Sequence, residues 1–545
     1  MKRYPALLLI AIVLFACKSK QAADLLVFNA TIYTVDSTFS TAEAMVIADG
    51  KILATGKRSE LEAAYQAKDT LDAQGKFIYP GFIDAHAHFL AYGLGKQKLD
   101  LEGTTSWDDI IHFCADFGKS MTPGEWLIGR GWDQNDWADK NFPDNSKLNE
   151  MYPDRPVLLT RIDGHAAIAN AKALEIAGVK AGQTLTGGDV VTKNGKLTGL
   201  LVDNAVDLVS SFIPAPSAVS VTEALSDAEL DCFSYGLTTV DDCGLDAASI
   251  RSIDSLQKKG ELNMRIYAML SDNPQNFIWA KQNGKIKTEH LTVSSFKVYA
   301  DGALGSRGAC LLQPYSDKPG WSGFLLSQPA HFDSVASVIK DMGWQMCTHA
   351  IGDSGNREIL NVYAKYLKGK NDLRWRVEHA QVVSPADFHL FGDNSIIPSV
   401  QPTHATSDMY WAADRLGNER VKGAYAYKQL NDQNGWIPLG TDFPVENVST
   451  FKTFYAAVAR KDGKGWPENG FQKENALSRE ETLRGMTIWA ARANFEEKEK
   501  GSLEKGKYAD FVILDQDLMK TSEKELLQTI VLQTYLGGKK VYEKK

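Results

Sequence analysis

The protein has 545 residues, of which 44% are hydrophobic and 23% are charged, and its formal net charge is -8. These proportions are typical of a folded globular protein and argue against a disordered chain. The acidic balance also argues against nucleic-acid binding, which needs a basic face. The length suits one large domain accompanied by a smaller one.

The first residues predict a secretory signal. Lys2 and Arg3 precede an apolar run from Ala6 to Ala16, which ends at Cys17 and is too short to span a membrane as a helix of ~20 residues. Residues 14–17 resemble the bacterial lipobox, so residues 1–17 are interpreted as a lipoprotein signal peptide with Cys17 as the lipidated residue. The expected location is outside the cytoplasm, with membrane contact through the lipid only. An ordinary signal with a chance cysteine is the alternative.

Both ends of the remaining chain have strand-like sequence. Residues 25–57 contain short apolar runs, two of them separated by Asp49-Gly50, a pair typical of hairpin turns. Residues 508–514 and 530–541 are also rich in β-formers. We therefore expect residues 18–79 and 495–545 to form one small β-sandwich domain.

The middle of the chain alternates strand-like and helix-like segments, which indicates a parallel α/β arrangement. Residues 80–494 are predicted to form a (β/α)8 barrel with an insertion at about 100–230. Trp132, Asp133 and Trp137 in this insertion form either a pocket wall or ordinary core packing. The eight predicted strands are Phe77–Asp84, Gly236–Asp241, Met264–Met269, Ser294–Tyr299, Trp344–His349, Arg374–His379, Ile396–Gln401 and Trp436–Asp442.

Residues able to bind metals occur at the ends of these strands. His86 and His88 are two positions apart, so in a strand they project to the same side. Barrel enzymes carry their chemistry at the carboxyl ends of the strands, and neutral imidazoles bind zinc and similar ions. The other residues of this kind at strand ends are Lys297, His349, His379 and Asp442.

The sequence resembles the amidohydrolase superfamily, in the family 3 subgroup that includes N-substituted formamide deformylases. The resemblance covers nearly the whole chain after the signal. It rests on the order of the metal-type residues and on the segments 163–165 (Asp-Gly-His), 301–307 (Asp-Gly-Ala-Leu-Gly-Ser-Arg) and 501–512.

The resemblance implies a metal centre. His86, His88 and Asp442 would hold a first ion, while His349 and His379 would hold a second. Lys297, converted to a carbamate, would bridge two ions, expected to be zinc. The alternative for this lysine is an unmodified amine that contacts substrate or pairs with Asp301 beside a single ion.

The same resemblance implies residue roles. Asp442 would act both as ligand and as general base, with a helix cap as its alternative role. His165 would polarise the substrate carbonyl, or else be a surface or capping histidine. Gln401 and His404 are candidate substrate-binding residues. So are Asp301 and Arg307, which could instead pair with each other.

The predicted activity is metal-activated hydrolysis, by hydroxide, of a C–N bond other than a peptide bond in a small amide-like or formamide-like molecule. One alternative is a non-catalytic lipoprotein that binds a metal or solute, but such a protein has no need of Asp442. Another is a ring deaminase of the same superfamily, against which Lys297 argues. A homodimer is compatible with the sequence.

Overall fold

The computed structural model describes residues 20–545. The predicted signal peptide and Cys17 lie outside the described residues. Within residues 20–545, no helix is both long enough and apolar enough to cross a membrane.

The centre of the molecule is a parallel barrel whose strands are almost entirely buried. Burial on both faces explains why apolar residues occupy successive positions in a strand such as Arg265–Ser271. The predicted fold class, a (β/α)8 barrel with an additional β domain, is confirmed. In hydrogen-bonded order the strands are Phe82–Ala87, Leu237–Leu245, Arg265–Ser271, Leu291–Tyr299, Gln345–Ala350, Arg376–His379 and Ile397–Ser399, and Ile286–Lys287 pairs with the fourth.

Residues 436–442 occupy the eighth position of the barrel without forming a regular strand. Leu439 makes an isolated parallel bridge to Val400 and accepts a hydrogen bond from the backbone N–H of Ala85. The N–H of Asp442 donates to the carbonyl of His86 at 2.8 Å. These contacts close the barrel and bring Asp442 to the ends of both neighbouring strands.

The predicted first strand, Phe77–Asp84, is divided between two sheets. Residues 77–80 end the strand Tyr65–Pro80 of the terminal sheet, and the barrel strand begins at Phe82. Gly81 separates them, and a Cβ at this position would lie 2.3 Å from the Thr238 hydroxyl. The prediction of one strand was therefore wrong here.

The two chain ends contribute to a single hydrogen-bonded sheet and not to two separate ones. The edge strand Lys51–Gly56 also contacts the chain just before the strand Phe511–Leu514, because the N–H of Ile52 donates to the carbonyl of Lys507 and the N–H of Ala509 donates to that of Gly50. The strands are Gln21–Tyr33, Thr41–Ala42, Ala44–Ala48, Lys51–Gly56, Tyr65–Pro80, Phe511–Leu514, Val531–Leu536 and Lys539–Glu543, with helices Arg58–Ala64 and Glu523–Leu526.

The insertion after the first barrel strand forms a six-stranded sheet above the barrel mouth. Its strands are Leu99–Asp100, Leu127–Trp132, Val157–Arg161, Ala166–Ala169, Gly188–Lys193 and Lys196–Asp203. Its helices are Trp107–Gly118, Ser146–Met151, Ala171–Ala177 and Asn204–Ser210, with a 3-10 turn at Gln134–Asp136.

Helices cover the barrel and link its strands, as βαβ units require. They are Phe89–Gly95, Ala218–Ser234, Ala247–Lys259, Pro274–Asn283, Pro329–Asp341, Asp353–Leu367, Phe388–Asp393, Pro402–Asp408, Ala412–Arg420, Tyr427–Asn434, Thr450–Ala459, Arg479–Gly485 and Ile488–Ala493, with 3-10 turns at Val421–Gly423 and Lys473–Asn475.

Candidate metal centre

His86 lies at the bottom of the barrel mouth between an acid and an amine. Its Nδ1 is 2.6 Å from Oε2 of Glu378, and its Nε2 is 3.1 Å from Nζ of Lys297. All three side chains are fully buried. The acid fixes the orientation of the ring, as supporting carboxylates do for metal-binding histidines.

Asp442 connects three histidines. Its Oδ1 lies 3.3 Å from Nε2 of His88 and 3.7 Å from Nε2 of His86. Its Oδ2 lies 3.4 Å from Nε2 of His404. Asp442 and His379 both have positive φ angles, +65° and +71°. Non-glycine residues in this region are strained, and such strain is concentrated at functional sites.

Two compact groups of potential ligand atoms share Asp442. One group consists of His86, His88 and Asp442, and the other of His379, His404 and Asp442; within each group the atoms lie within 4.8 Å of one another. The first group consists of the three residues that the sequence predicted to hold one ion. In the second, His404, expected to bind substrate, stands beside His379.

His349 is close to this centre but is not in either group. Its ring centroid is 4.7 Å from that of His379. Its Nε2 points towards Asp301, with 3.9 Å to Oδ1. At this distance the two atoms do not form a hydrogen bond, and among residues 20–545 Nε2 of His349 is buried without a hydrogen-bond partner.

Hydrogen-bond acceptors beside His379 and His88 determine which ring nitrogen of each histidine carries the proton. Nδ1 of His379 is 2.7 Å from Oε1 of Gln401, and Nδ1 of His88 is 3.1 Å from the carbonyl of Cys243. Each acceptor requires a proton on Nδ1, so Nε2 retains its lone pair. Gln401 therefore orients the ring of His379 and does not itself line the cavity.

The ionisation states also suit metal binding. Burial, followed by the charge of Lys297, lowers the pKa of His86 to about 4, and burial holds the pKa values of His349 and His379 well below normal. Burial would raise the pKa of Asp442, but the neighbouring histidines hold it well below its usual value. Neutral imidazoles and an ionised carboxylate are the forms that bind metals.

The residues fit a divalent metal ion. Oδ1 of Asp442 and Nε2 of His404 are buried and have no hydrogen-bond partner. Unpaired buried polar atoms are costly, and a metal ion would satisfy them. The donor set of imidazole and carboxylate suits zinc and similar ions.

Lys297 is buried in this cavity without an acidic partner. Among residues 20–545, no Asp or Glu oxygen lies within 4.0 Å of its Nζ atom. The alternative of a Lys297–Asp301 ion pair is therefore wrong. The two oxygens of Asp301 instead accept hydrogen bonds from the backbone N–H groups of Cys310, Ile351 and Gly352.

His165 reaches the same cavity from the insertion. Its Nδ1 is 2.6 Å from Oδ1 of the buried Asp203, and its ring centroid is 5.0 Å from that of His349. Burial would lower the pKa of His165, but Asp203 raises it. The structure thus places His165 on the wall of the cavity that His379 and Asp442 also line. Asp203 was not anticipated, since 38 residues separate it from His165.

Several other expected pocket residues lie elsewhere. Arg307 does not line the cavity and pairs with Asp317 at 2.8 Å, and it does not pair with Asp301. Trp132 and Trp137 are buried in the core of the insertion. Asp133 does line the cavity, where it pairs with Arg161. The core interpretation therefore holds for both tryptophans.

A family model described as "Amidohydrolase family" matches residues 69–542. This chain belongs to the amidohydrolase family. A similar relative of this amidohydrolase is the protein LONG AFTER FAR-RED 3 of Arabidopsis thaliana, 34% identical over 95% of this chain and 92% of the relative. N-substituted formamide deformylase of Arthrobacter pascens is 25% identical over 96% of this chain and 99% of the relative.

Solved structures agree with this assignment. A metal-dependent hydrolase of Pyrococcus horikoshii superposes on this amidohydrolase with a TM-score of 0.74 and 26% identity. The match covers 92% of this chain and 99% of the hydrolase. Together with the family match and the cluster of ligand-type side chains, this similarity identifies the protein as a metal-dependent hydrolase of the amidohydrolase superfamily.

Proposed function

We propose that this amidohydrolase cleaves a C–N bond other than a peptide bond in a small amide-like or formamide-like molecule. The observation that carries the proposal is the convergence of His86, His88, His379 and Asp442 on a cavity that also contains the buried Lys297. The name of the Arthrobacter pascens relative makes N-substituted formamides the first compounds to assay.

The proposed centre holds two divalent ions, most simply zinc. His86, His88 and Asp442 would hold one, and His349 and His379 the other, with His404 close to the second. Bound ions supply Lewis acidity and lower the pKa of water to about 7. The protein supplies neutral imidazoles, whose orientation is fixed from behind by Glu378 and Gln401.

Lys297 is proposed to bridge the ions as a carbamate. Its ammonium group would first lose one proton to solvent, and the resulting neutral amine would attack carbon dioxide, forming an N–C bond and releasing a second proton. This converts a buried cation without an acidic partner into an anion with two oxygen donors. A buried charge that lacks its partner costs about 3–5 kcal/mol. The carbamate would remove the unpaired positive charge, and the bound ions would compensate its own negative charge.

Asp442 and His165 are proposed to handle the protons. Asp442 is ionised and buried, so it can accept a proton from the attacking water and return it to the leaving nitrogen. Asp203 favours the protonated form of His165, whose Nε2–H would donate a hydrogen bond to the carbonyl oxygen as negative charge develops.

The test is turnover by metal-loaded protein comprising residues 18–545, assayed with N-substituted formamides, amides, lactams, carbamates and esters. We expect hydrolysis of at least one C–N substrate, and loss of that hydrolysis in Asp442→Asn. His112→Ala, on an exposed helix, is the matched control and should keep full activity. Metal binding without turnover of any of these compounds would favour the non-catalytic alternative.

Attachment to a membrane through Cys17 is proposed for the same enzyme. The observation behind it is the basic and apolar run that ends at Cys17, three residues before the described chain begins. Radiolabelled palmitate fed to a bacterial expression host should label the wild type, and Cys17→Ser should not be labelled. Labelling of neither protein would contradict lipid anchoring.

A further inference from the structure

Arg130 lies beside the proposed active site on the insertion strand Leu127–Trp132. It lines a cavity of about 570 Å³ to which His88, His165 and Tyr299 also contribute. The same three residues line the cavity of the metal centre. The two cavities therefore adjoin, and Arg130 lines the one next to the metal centre.

The guanidinium of Arg130 is incompletely satisfied. Its Nη2 donates to the carbonyl of Ile162 at 2.7 Å, which fixes the position of the group. Its Nε is buried and has no hydrogen-bond partner. In the part of the chain from residue 20 onward, Arg130 forms no ion pair within 4.0 Å, unlike its neighbour Arg161, which pairs with Asp133 and Asp163.

The acidic groups that share this cavity are already engaged. The hydrogen-bonded pairs are Asp163 with Arg161, Asp203 with His165, Asp272 with His331 and Asp207 with Ser210. Arg130 is thus the arginine that lines this cavity, and among residues 20–545 no carboxylate oxygen forms an ion pair with it within 4.0 Å.

A positive charge in this environment is unfavourable by itself. Burial lowers the pKa of Arg130, and the charges of Asp442 and Asp163 only partly oppose this shift. A buried charge is normally paired and hydrogen-bonded. The planar guanidinium offers parallel donors whose geometry matches a carboxylate.

We infer that Arg130 binds a carboxylate of the substrate, at the end of the molecule remote from the bond that is cleaved. This inference rests on the proposed function and narrows it to N-acyl or N-formyl compounds that carry a carboxylate. The reacting C–N bond lies at the metal centre, and the carboxylate lies in the adjoining cavity beneath the insertion.

The experiment uses N-formyl ω-amino acids of increasing chain length, each compared with its neutral carboxamide. Steady-state kinetics and calorimetric binding are measured for metal-loaded wild type, Arg130→Gln, and the control Lys196→Gln. Lys196 is an exposed lysine on the same insertion, so the control removes an equal charge away from the cleft. The calorimetric measurement does not depend on turnover.

We expect the wild type to prefer one carboxylate over its carboxamide by about 10- to 100-fold in kcat/KM and in affinity. Arg130→Gln should lose this preference, mainly through a higher KM for the carboxylate compound, and should keep its metal content. Equal binding of acid and carboxamide by the wild type, or an unchanged preference in Arg130→Gln, would overturn the inference. Binding with the expected preference but without hydrolysis would support the carboxylate site and contradict the proposed activity.

Discussion

Nζ of Lys297 lies 3.1 Å from Nε2 of His86, and the other nitrogen of that ring lies 2.6 Å from Glu378. The amine of Lys297, the imidazole of His86 and the carboxylate of Glu378 therefore contact one another in that order inside the barrel. An ammonium group facing a potential metal ligand would repel a dication. Conversion of the Lys297 amine to an anion would remove this repulsion, and the carboxylate of Glu378 would orient His86.

Modification of Lys297 can be observed directly. Wild-type protein loaded with metal and ¹³C-labelled bicarbonate should show a carbamate carbon signal by NMR, and Lys297→Met should not. Lys452→Met is the control, because Lys452 lines the same cavity but is exposed and has no contact with the histidines. A signal that persists in Lys297→Met, or is lost in the control, would contradict the assignment.

Glu378 should contribute to metal affinity without binding the metal. Glu378→Gln keeps the size of the side chain but removes the charge that orients His86, so affinity should fall about 10- to 100-fold. Competition with a chelator measures this loss. Glu229→Gln removes another acid, one that accepts hydrogen bonds from the backbone of residues 263 and 264, and should leave metal affinity unchanged. Equal affinities in both variants would refute the positioning role.

His165 and Asp203 should affect turnover and leave metal content intact. Removal of one donor to a developing oxyanion typically lowers kcat by about 10²- to 10³-fold, which we expect for His165→Ala. Asp203 raises the pKa of His165, so Asp203→Asn should move the alkaline limb of the pH–rate profile to lower pH. Asp154→Asn, at an exposed position of the same insertion, is the control. An unshifted limb would exclude this role for Asp203.

Glu496 should make the fold sensitive to acid. Burial opposes its ionisation, but Lys500 and Lys287 lower its pKa from 4.5 to about 2. A lowered pKa gives stability that is present above pH 4.5 and is lost as the pH falls towards 2, worth about 3 kcal/mol in all. Glu496→Gln should remove most of this dependence in urea unfolding measured across that window. Glu499→Gln, at an exposed partner of Lys287, should change stability by less than about 1 kcal/mol.

The sequence predicted the barrel fold and several of the ligand-type residues that the structure brings together at its mouth. The spacing of His86 and His88 within a buried strand requires both side chains to project to one side, and the structure places them together around Asp442. Such local periodicity does not depend on the rest of the fold.

Other features depend on long-range packing, which the sequence does not display. Residues 77–80 and 82–87 are apolar on both sides of Gly81, so hydrophobicity could not divide them between two sheets. Pro438 lacks an N–H group, which disfavours a regular eighth strand. The contacts of His165 with Asp203 and of His404 with Asp442 depend on how the insertion and a helix pack over the barrel.

The measurement that bears most directly on the account is the number of metal ions per chain, determined by elemental analysis of residues 18–545 purified with bicarbonate. We predict about two ions per chain in the wild type and a clear loss in Lys297→Met, because the bridging carbamate is needed to hold both. About one ion per chain in both proteins would contradict the bridged centre and leave Lys297 to contact substrate. A wild-type protein that binds no metal would contradict the proposed hydrolysis altogether.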